Sequence, residues 1–379
     1  MKLIFKLIIG IIFGIVLGLI GPEFLIRFFI TLKVLFGSFI GFIIPFIILF
    51  FIASGVAGLG KSSGRLVGMT VGTAYISTII AGFLAFLVAI TIVPFLTADG
   101  GSVAEGSALE PFLNLEIAPL MGVVTALVTA FVFGIGVAKT GGEWLKKFFD
   151  EGKAIVEMVI TKIIIPFLPI YIAGIFAELA AEGEVFATLK VFGVILVLAI
   201  VTHWTWLVIQ YIIAGVVTKK NPLRLIKNML PAYFTAIGTM SSAATIPVTL
   251  KSVKKNEVKE DIANFGVPLC ATIHLSGSVI TIVMCAIAVM SLSPELPHPS
   301  FVKFMPVIFM LGLIMVAAPG VPGGAIMAAL GVLTSMLGFN EAAIGLMIAL
   351  YMAQDSFGTA TNVTGDGAIN VLIDRWASK

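Results

Sequence analysis

Long apolar runs follow one another along this chain, parted by short polar segments. Those at 4–20, 30–57, 66–95, 119–138, 155–178, 186–217, 263–292 and 341–373 are each long enough to cross ~30 Å of hydrocarbon. Each predicts a transmembrane helix. Two further runs, 228–250 and 304–338, are interrupted, the first at "TMSSAATIP" and the second at "APGVPGGA". The pattern predicts an all-α membrane protein.

Charge in the loops orients the runs, because Lys and Arg favour the cytoplasmic side. Segments 58–65, 139–153 and 218–227 are basic, whereas the charged residues of 96–118 and 179–185 are all acidic. The two sets alternate, with Lys2 and Lys6 inside and Arg27 a mild exception outside. The alternation breaks after 218–227, because the next loop, "KSVKKNEVKE", is basic again. A segment 228–250 that enters and returns from the cytoplasm resolves this. The run 304–338 reads as a second hairpin, entering from outside, and "DRWASK" then returns to the cytoplasm. Eight crossings and two opposed re-entrant hairpins result, with both termini cytoplasmic. Opposed hairpins, each followed by a span, suggest an inverted repeat around one midplane site. Irregular backbone survives at that depth only beside protein or a water-filled cavity. Such a site is a transporter's.

Composition agrees. The 379 residues are 59% hydrophobic and 11% charged, against about 25% charged in soluble domains. That composition implies a lipid bilayer as partner, and a net charge of +3 from scattered basic residues implies no nucleic acid. Cys270 and Cys285 fall about 22 Å apart on one predicted helix, too far to bridge. The N-terminal run resembles a signal peptide without an obvious small-x-small cleavage site and reads as a retained first helix. Gly10, Gly14 and Gly18 form a small-xxx-small packing face, within one chain or between chains.

The chemistry gathers on the last helix. Asp355, Thr359, Asn362 and Asp366 are spaced i, i+4, i+7, i+11 and share a stripe about 60° wide. The stripe offers a carboxylate to an ammonium group, a hydroxyl, an amide and a second carboxylate. Asp366 suits a small hard cation, together with carbonyls freed by an unwound helix near Gly365. One Thr or Asn in such a place serves to hold helices together; two acids in register with both point to binding. In "TMSSAATIPV" a second arm starts near Thr245 with Pro247 in its first turn. Its N–H groups suit a substrate carboxylate. "GVPGGA" permits a mobile tip, a candidate extracellular gate. His274, Ser276 and Ser278 interrupt an apolar span, and His274 is either hydrogen-bonded structure or a proton carrier. His203, among tryptophans, reads as packing or interfacial.

These residues carry a resemblance. The order of spans, serine-rich hairpin, polar break, glycine-rich hairpin and polar last helix resembles the dicarboxylate/amino acid:cation symporter family. That family includes archaeal aspartate, mammalian glutamate and bacterial serine/threonine transporters. "SSAATIPVT", "GVPGG" and "DSFGTATNVTGD" are similar to its two hairpin signatures and its last-helix signature. The resemblance implies a homotrimeric elevator transporter of small amino acids or dicarboxylates, with sodium as coupling ion and a proton possible. Residues 1–65 and 96–181 would form the trimerising scaffold, and 66–95 and 182–379 the moving transport domain. Asp355 and Thr359 would meet the substrate ammonium. Asn362 and the Ser241–Ser242 tip would meet its carboxylate, joined by Ser278 and by Val321 and Gly323 of the gating tip. Asn362, Asp366 and Thr272 would be sodium ligands, and His274, Ser276, Ser77 and Thr78 a proton or altered cation site.

The sequence departs from that pattern in two respects. Acidic-substrate members place an arginine where Gly358 or Met240 stands here, so a side-chain carboxylate lacks its guanidinium partner. The leading expectation is therefore a sodium symporter importing a small neutral amino acid, with an acidic amino acid or C4-dicarboxylate symporter as the alternative. The seventh-span break normally reads Asn-Met-Asp-Gly-Thr; here it reads His274-Leu275-Ser276-Gly277-Ser278. An amide and a carboxylate have become an imidazole and a hydroxyl. An enzyme is not expected: Asp355 and Asp366 are about 16 Å apart on one helix, and neither Gly-x-Ser-x-Gly nor His-Glu-x-x-His occurs.

Overall fold

The structure is a computed structural model that describes residues 2–59, 64–97, 109–318 and 320–377. Parts of the loops at 58–65 and 96–118, used above to orient the chain, lie outside the described residues. In chain order the helices are α1 (Lys2–Ile20), α2 (Glu23–Leu59), α3 (Arg65–Thr97), α4 (Val123–Thr140) and α5 (Glu143–Val159). They continue with α6 (Ile165–Ala181), α7 (Val185–Thr218), α8 (Pro222–Thr239), α9 (Ser242–Lys255) and α10 (Glu260–Ile273). The last are α11 (Ser276–Leu292), α12 (Phe301–Met315), α13 (Gly324–Leu337) and α14 (Glu341–Ala377). No strand occurs among the described residues.

Among the described residues, six helical stretches are long and apolar enough to cross a membrane: Glu23–Gly58, Arg65–Val93, Val123–Thr140, Glu143–Ala181, Val185–Thr218 and Glu260–Leu292. The chain is a multi-pass membrane protein. Its outer face suits lipid, with Ile9, Ile12 and Val16 of α1, Val124, Val128 and Val132 of α4, and Val197 and Val201 of α7 exposed.

The basic segment 139–153, read above as a loop, is largely helix α5. Phe149, Gly152 and Val156 are buried on one side while Lys146, Lys147 and Glu151 remain outside, so the charges mark an amphipathic helix rather than a connection. A π-helical turn, Ile160–Ile164, joins α5 to α6. It precedes Pro166, which has no N–H to continue an α ladder.

The molecule has an outer framework and an inner cluster. In the framework α1 runs against α6, and α2 packs on α4, α5 and α6. The Gly10–Gly14–Gly18 face packs within the chain: Cβ atoms there would lie 2.4, 2.4 and 2.3 Å from the carbonyl oxygens of Pro169, Ala173 and Ala177. In the inner cluster α14 packs on α7, α8, α9, α10 and α11, and α11 packs on α3. Between Ser276 and Met290 every residue of α11 is buried.

Two helix pairs fold back on themselves. Helices α8 and α9 pack together across the two residues Met240 and Ser241, and α12 and α13 across 316–323. Met240 sits in the left-handed region at φ 53, a strained place for a residue with a side chain. Helix α9 starts at Ser242, three residues before the expected start. Ser241 Oγ accepts from the Ala244 N–H at 3.2 Å as its N-cap, and a serine cap outweighs the proline signal. Pro247 consequently falls in the second turn.

Candidate functional site

A span broken at midpoint builds the centre. Helix α10 ends at Ile273 and α11 begins at Ser276, with His274 extended and Leu275 outside helical geometry between them. The break leaves the first N–H groups of α11 unpaired. Asn362 of α14 supplies their acceptor: its Oδ1 takes Gly277 N–H at 2.7 Å and Ser278 N–H at 3.2 Å. Its Nδ2 donates to Ser278 Oγ at 2.9 Å. The amide thus acts as an N-cap delivered from another helix. Close approach makes this possible, since a Cβ on Gly277 would lie 2.3 Å from the Gly358 carbonyl oxygen.

Asp355, one end of the stripe, is 3% exposed. Its Oδ2 accepts the Gly323 N–H at 2.8 Å. Gly323 is left-handed at φ +71, and a Cβ there would meet Met352 Sδ at 2.9 Å. The position therefore needs glycine on two counts. No side-chain cation pairs with Asp355 among the described residues. Thr359 is buried one turn further along.

Asp366, the other end, is 1% exposed, and His274 is fully buried. His274 Nδ1 faces Asp366 Oδ1 at 2.9 Å, and its Nε2 faces Ser77 Oγ of α3 at 2.9 Å. Gln210 of α7 donates from Nε2 to Ser77 Oγ at 2.8 Å. Three helices, α3, α7 and α14, thereby converge on one buried imidazole.

Helix α14 is continuous from Glu341 to Ala377, so the expected unwinding near Gly365 is absent. Gly365 instead gives room: a Cβ there would lie 2.8 Å from both Gln210 Oε1 and His274 Cε1. Nearby carbonyls are taken. Tyr211 OH donates to Thr364 O at 2.7 Å, and Asn370 Nδ2 to Asp366 O at 2.8 Å.

The hairpin turns meet beside the stripe. Ser241 Oγ donates to Gly320 O at 2.7 Å, Ser242 is buried, and Val321 is half-buried with its carbonyl accepting Gly324 N–H. Two expected residues point elsewhere. Thr272 is exposed and its hydroxyl turns back to Leu269 O at 2.8 Å. Thr78 is buried but donates to Ala74 O of its own helix at 2.9 Å. Ser276 is buried at the break, and its Oγ has no partner among the described residues.

Gln210 is a site residue that sequence reasoning missed, and His203, read as packing or interfacial, packs at the site. His203 is 1% exposed, with Nε2 3.0 Å from Gly277 O and 3.2 Å from Thr281 Oγ1. It braces the break, which is the packing alternative of the sequence reading. The signal was present: His203 and Gln210 are i, i+7 on an otherwise apolar span, hence on one face.

Two buried carboxylates, one against an imidazole, an amide cap and two touching turns inside an all-helical membrane bundle define the class: a membrane transporter. Residues 3–376 match the sodium:dicarboxylate symporter family, and the chain belongs to that family, whose members are transporters rather than enzymes. The chain is similar to the neutral amino acid transporter B(0) of Homo sapiens, 28% identical over 270 residues, 68% of this chain and 49% of that protein. It is similar also to excitatory amino acid transporter 1 of Ambystoma tigrinum, 30% identical over 285 residues, 72% of this chain and 51% of that protein. The Homo sapiens excitatory amino acid transporter 1 is 29% identical over 280 residues, 70% and 50% of the two chains. This chain spans about half the length of the curated relatives it matches.

Proposed function

We propose that this chain imports a small neutral amino acid by symport with sodium, and with a proton as a possible further coupling ion. The observation that carries the reading is Asp355, a buried carboxylate with a backbone N–H as partner and no side-chain cation among the described residues. Burying a carboxylate without a cation costs several kcal/mol, and a substrate ammonium supplies the missing charge. Gly358 and Met240 supply no guanidinium for a second carboxylate. A Cβ on Gly358 would lie 3.2 Å from Thr281 Oγ1 and 3.4 Å from Gly277 O, so that face of α14 is filled by α11.

The domain assignment follows the two groups of helices. In this reading α1, α2 and α4–α6 form a fixed, trimer-forming scaffold, and α3 and α7–α14 an elevator that carries the substrate. The α8–α9 and α12–α13 pairs are the re-entrant hairpins, both termini are cytoplasmic, and eight segments cross. The packing of α1 on α6 and of α14 on α7 and α11 supports that division.

Transport of an acidic amino acid or dicarboxylate is the second reading. The family's description and the relatives named excitatory amino acid transporters favour it. Uptake into proteoliposomes under a sodium gradient separates the two. Serine, alanine or threonine should accumulate and compete, and aspartate should compete poorly. Uptake of aspartate with serine silent would install the second reading, and absence of any gradient-driven uptake would remove both.

A further inference from the structure

A buried carboxylate must be met by a cation or by several donors. Asp366 is met by a side chain of its own protein. His274 Nδ1 faces its Oδ1 at 2.9 Å, with both residues at 1% exposure or less. The imidazole cannot swing away freely, because Ser77 Oγ holds its far nitrogen at 2.9 Å and Gln210 holds Ser77 at 2.8 Å. Gly365 closes the remaining side, since even a Cβ would come within 2.8 Å of the ring.

Several oxygens of the expected sodium ligands are likewise engaged. A hard cation requires several oxygen ligands around one point. Asn362 Oδ1 already accepts two backbone N–H groups, at 2.7 and 3.2 Å. The carbonyls of Thr364 and Asp366 accept Tyr211 and Asn370 at 2.7 and 2.8 Å. Helix α14 stays continuous, so its ladder uses the neighbouring carbonyls. Thr272 faces outward. Each of the three residues that the resemblance makes a sodium ligand is therefore committed or remote.

We infer that the imidazole of His274 permanently occupies the cation's place at Asp366, so this chain holds no sodium ion there. Gln210 and Ser77 are the positioning residues that fix the ring. Any sodium that the transport cycle uses is bound elsewhere. The inference rests on the transport reading for its meaning but not for its measurement, which needs no substrate.

Removing the ring should create what it displaces. His274→Asn replaces an N–H donor with a side chain that carries an amide oxygen. It also frees Asp366 Oδ1 and Ser77 Oγ from the ring, beside Gln210 Oε1, which has no partner among the described residues. Four oxygens would then surround a space the size of the lost ring. The test is thermal melting of the purified full chain in sodium chloride against choline chloride at equal ionic strength.

Any sodium-specific stabilisation of the native protein should be the same size in Asp366→Asn. His274→Asn should gain a new sodium-specific rise in melting temperature that grows with the logarithm of sodium concentration. The double variant His274→Asn/Asp366→Asn should lack it. Loss of the native sodium response in Asp366→Asn, or no added response in His274→Asn, would overturn the inference. Should Asp366→Asn fail to fold, His274→Asn decides alone. Failed amino-acid uptake with these melting results intact would count against the proposed function only.

Discussion

Two helix crossings in this molecule are lined with glycine, and the missing side chains serve opposite ends. Between α1 and α6, Gly10, Gly14 and Gly18 bring backbone against backbone, with Cβ positions 2.3–2.4 Å from carbonyl oxygens. Around α14, glycines face polar side chains instead. Cβ atoms on Gly365 and Gly367 would strike Gln210 Oε1 at 2.8 Å and Tyr211 OH at 2.5 Å. The first crossing spends its space on a close seam. The second spends it on admitting amide, hydroxyl and imidazole groups to an apolar bundle. One residue type thus builds both the rigid part and the chemical part.

The seam should fail hardest. Gly14→Leu places new atoms against the Ala173 backbone, which cannot rotate aside. The loss should match or exceed the about 1–3 kcal/mol usual for overpacking, read as a lowered melting temperature in detergent. A variant that melts like the native protein would show that α1 and α6 part easily.

At the polar crossing the largest effect should fall on binding rather than folding. Asp355→Asn removes one charge-assisted contact, worth about 1.5–3 kcal/mol. Serine affinity should drop at least about tenfold, measured by calorimetry. Unchanged affinity would make Asp355 structural.

How much of this was legible differs between the crossings. The apolar runs placed most of the helices, because crossing hydrocarbon demands length, and length is visible in sequence. The spacing of Asp355, Thr359, Asn362 and Asp366 revealed the polar stripe, because a helix repeats at a fixed angle. What those groups touch was not legible. Asn362 faces the break before α11 and Asp366 faces His274, contacts made across 84 residues or more of chain. Local pattern also misjudged Gly365 as an unwinding point. Its reason is a neighbour on α7 that no local rule reveals. The basic 139–153 segment misled in the same way, since a charged amphipathic helix and a charged loop share a composition.

A smaller effect sharpens the comparison within the polar crossing. Tyr211→Phe removes the bond to Thr364 O and leaves that carbonyl to its helical partner alone. A loss of about 0.5–1.5 kcal/mol is expected, with serine affinity unchanged. A large affinity change would extend the binding centre to Tyr211.

The smallest effect belongs to the framework, at the end of α6. Glu182 is pushed up to about 7 by burial, then by the carboxylates of Glu178 and Glu184, against a lowering by Lys33. A raised carboxyl favours the protonated folded form. Its stabilising share is therefore complete below the ordinary value of 4.5 and is lost as pH rises through about 7. Solvent screening keeps the effect below about 1 kcal/mol. Glu182→Gln should flatten the decline in melting temperature across that window, and an unchanged decline would assign it to other groups.

The contact between the hairpin turns has a consequence in time rather than in space. Ser241 Oγ and Gly320 O are joined by one hydrogen bond at 2.7 Å, and such a bond nets about 0.5–1.5 kcal/mol. That favours the joined arrangement by only about two- to tenfold. If this bond sets the balance, the turns separate spontaneously in an appreciable fraction of molecules at any instant. Opening then needs no trigger, and a bound solute acts by lengthening the closed intervals. Single-molecule distance records between labels on α9 and α13 should show this flicker without solute and longer closed dwells with it; a static trace would mean that other contacts lock the turns.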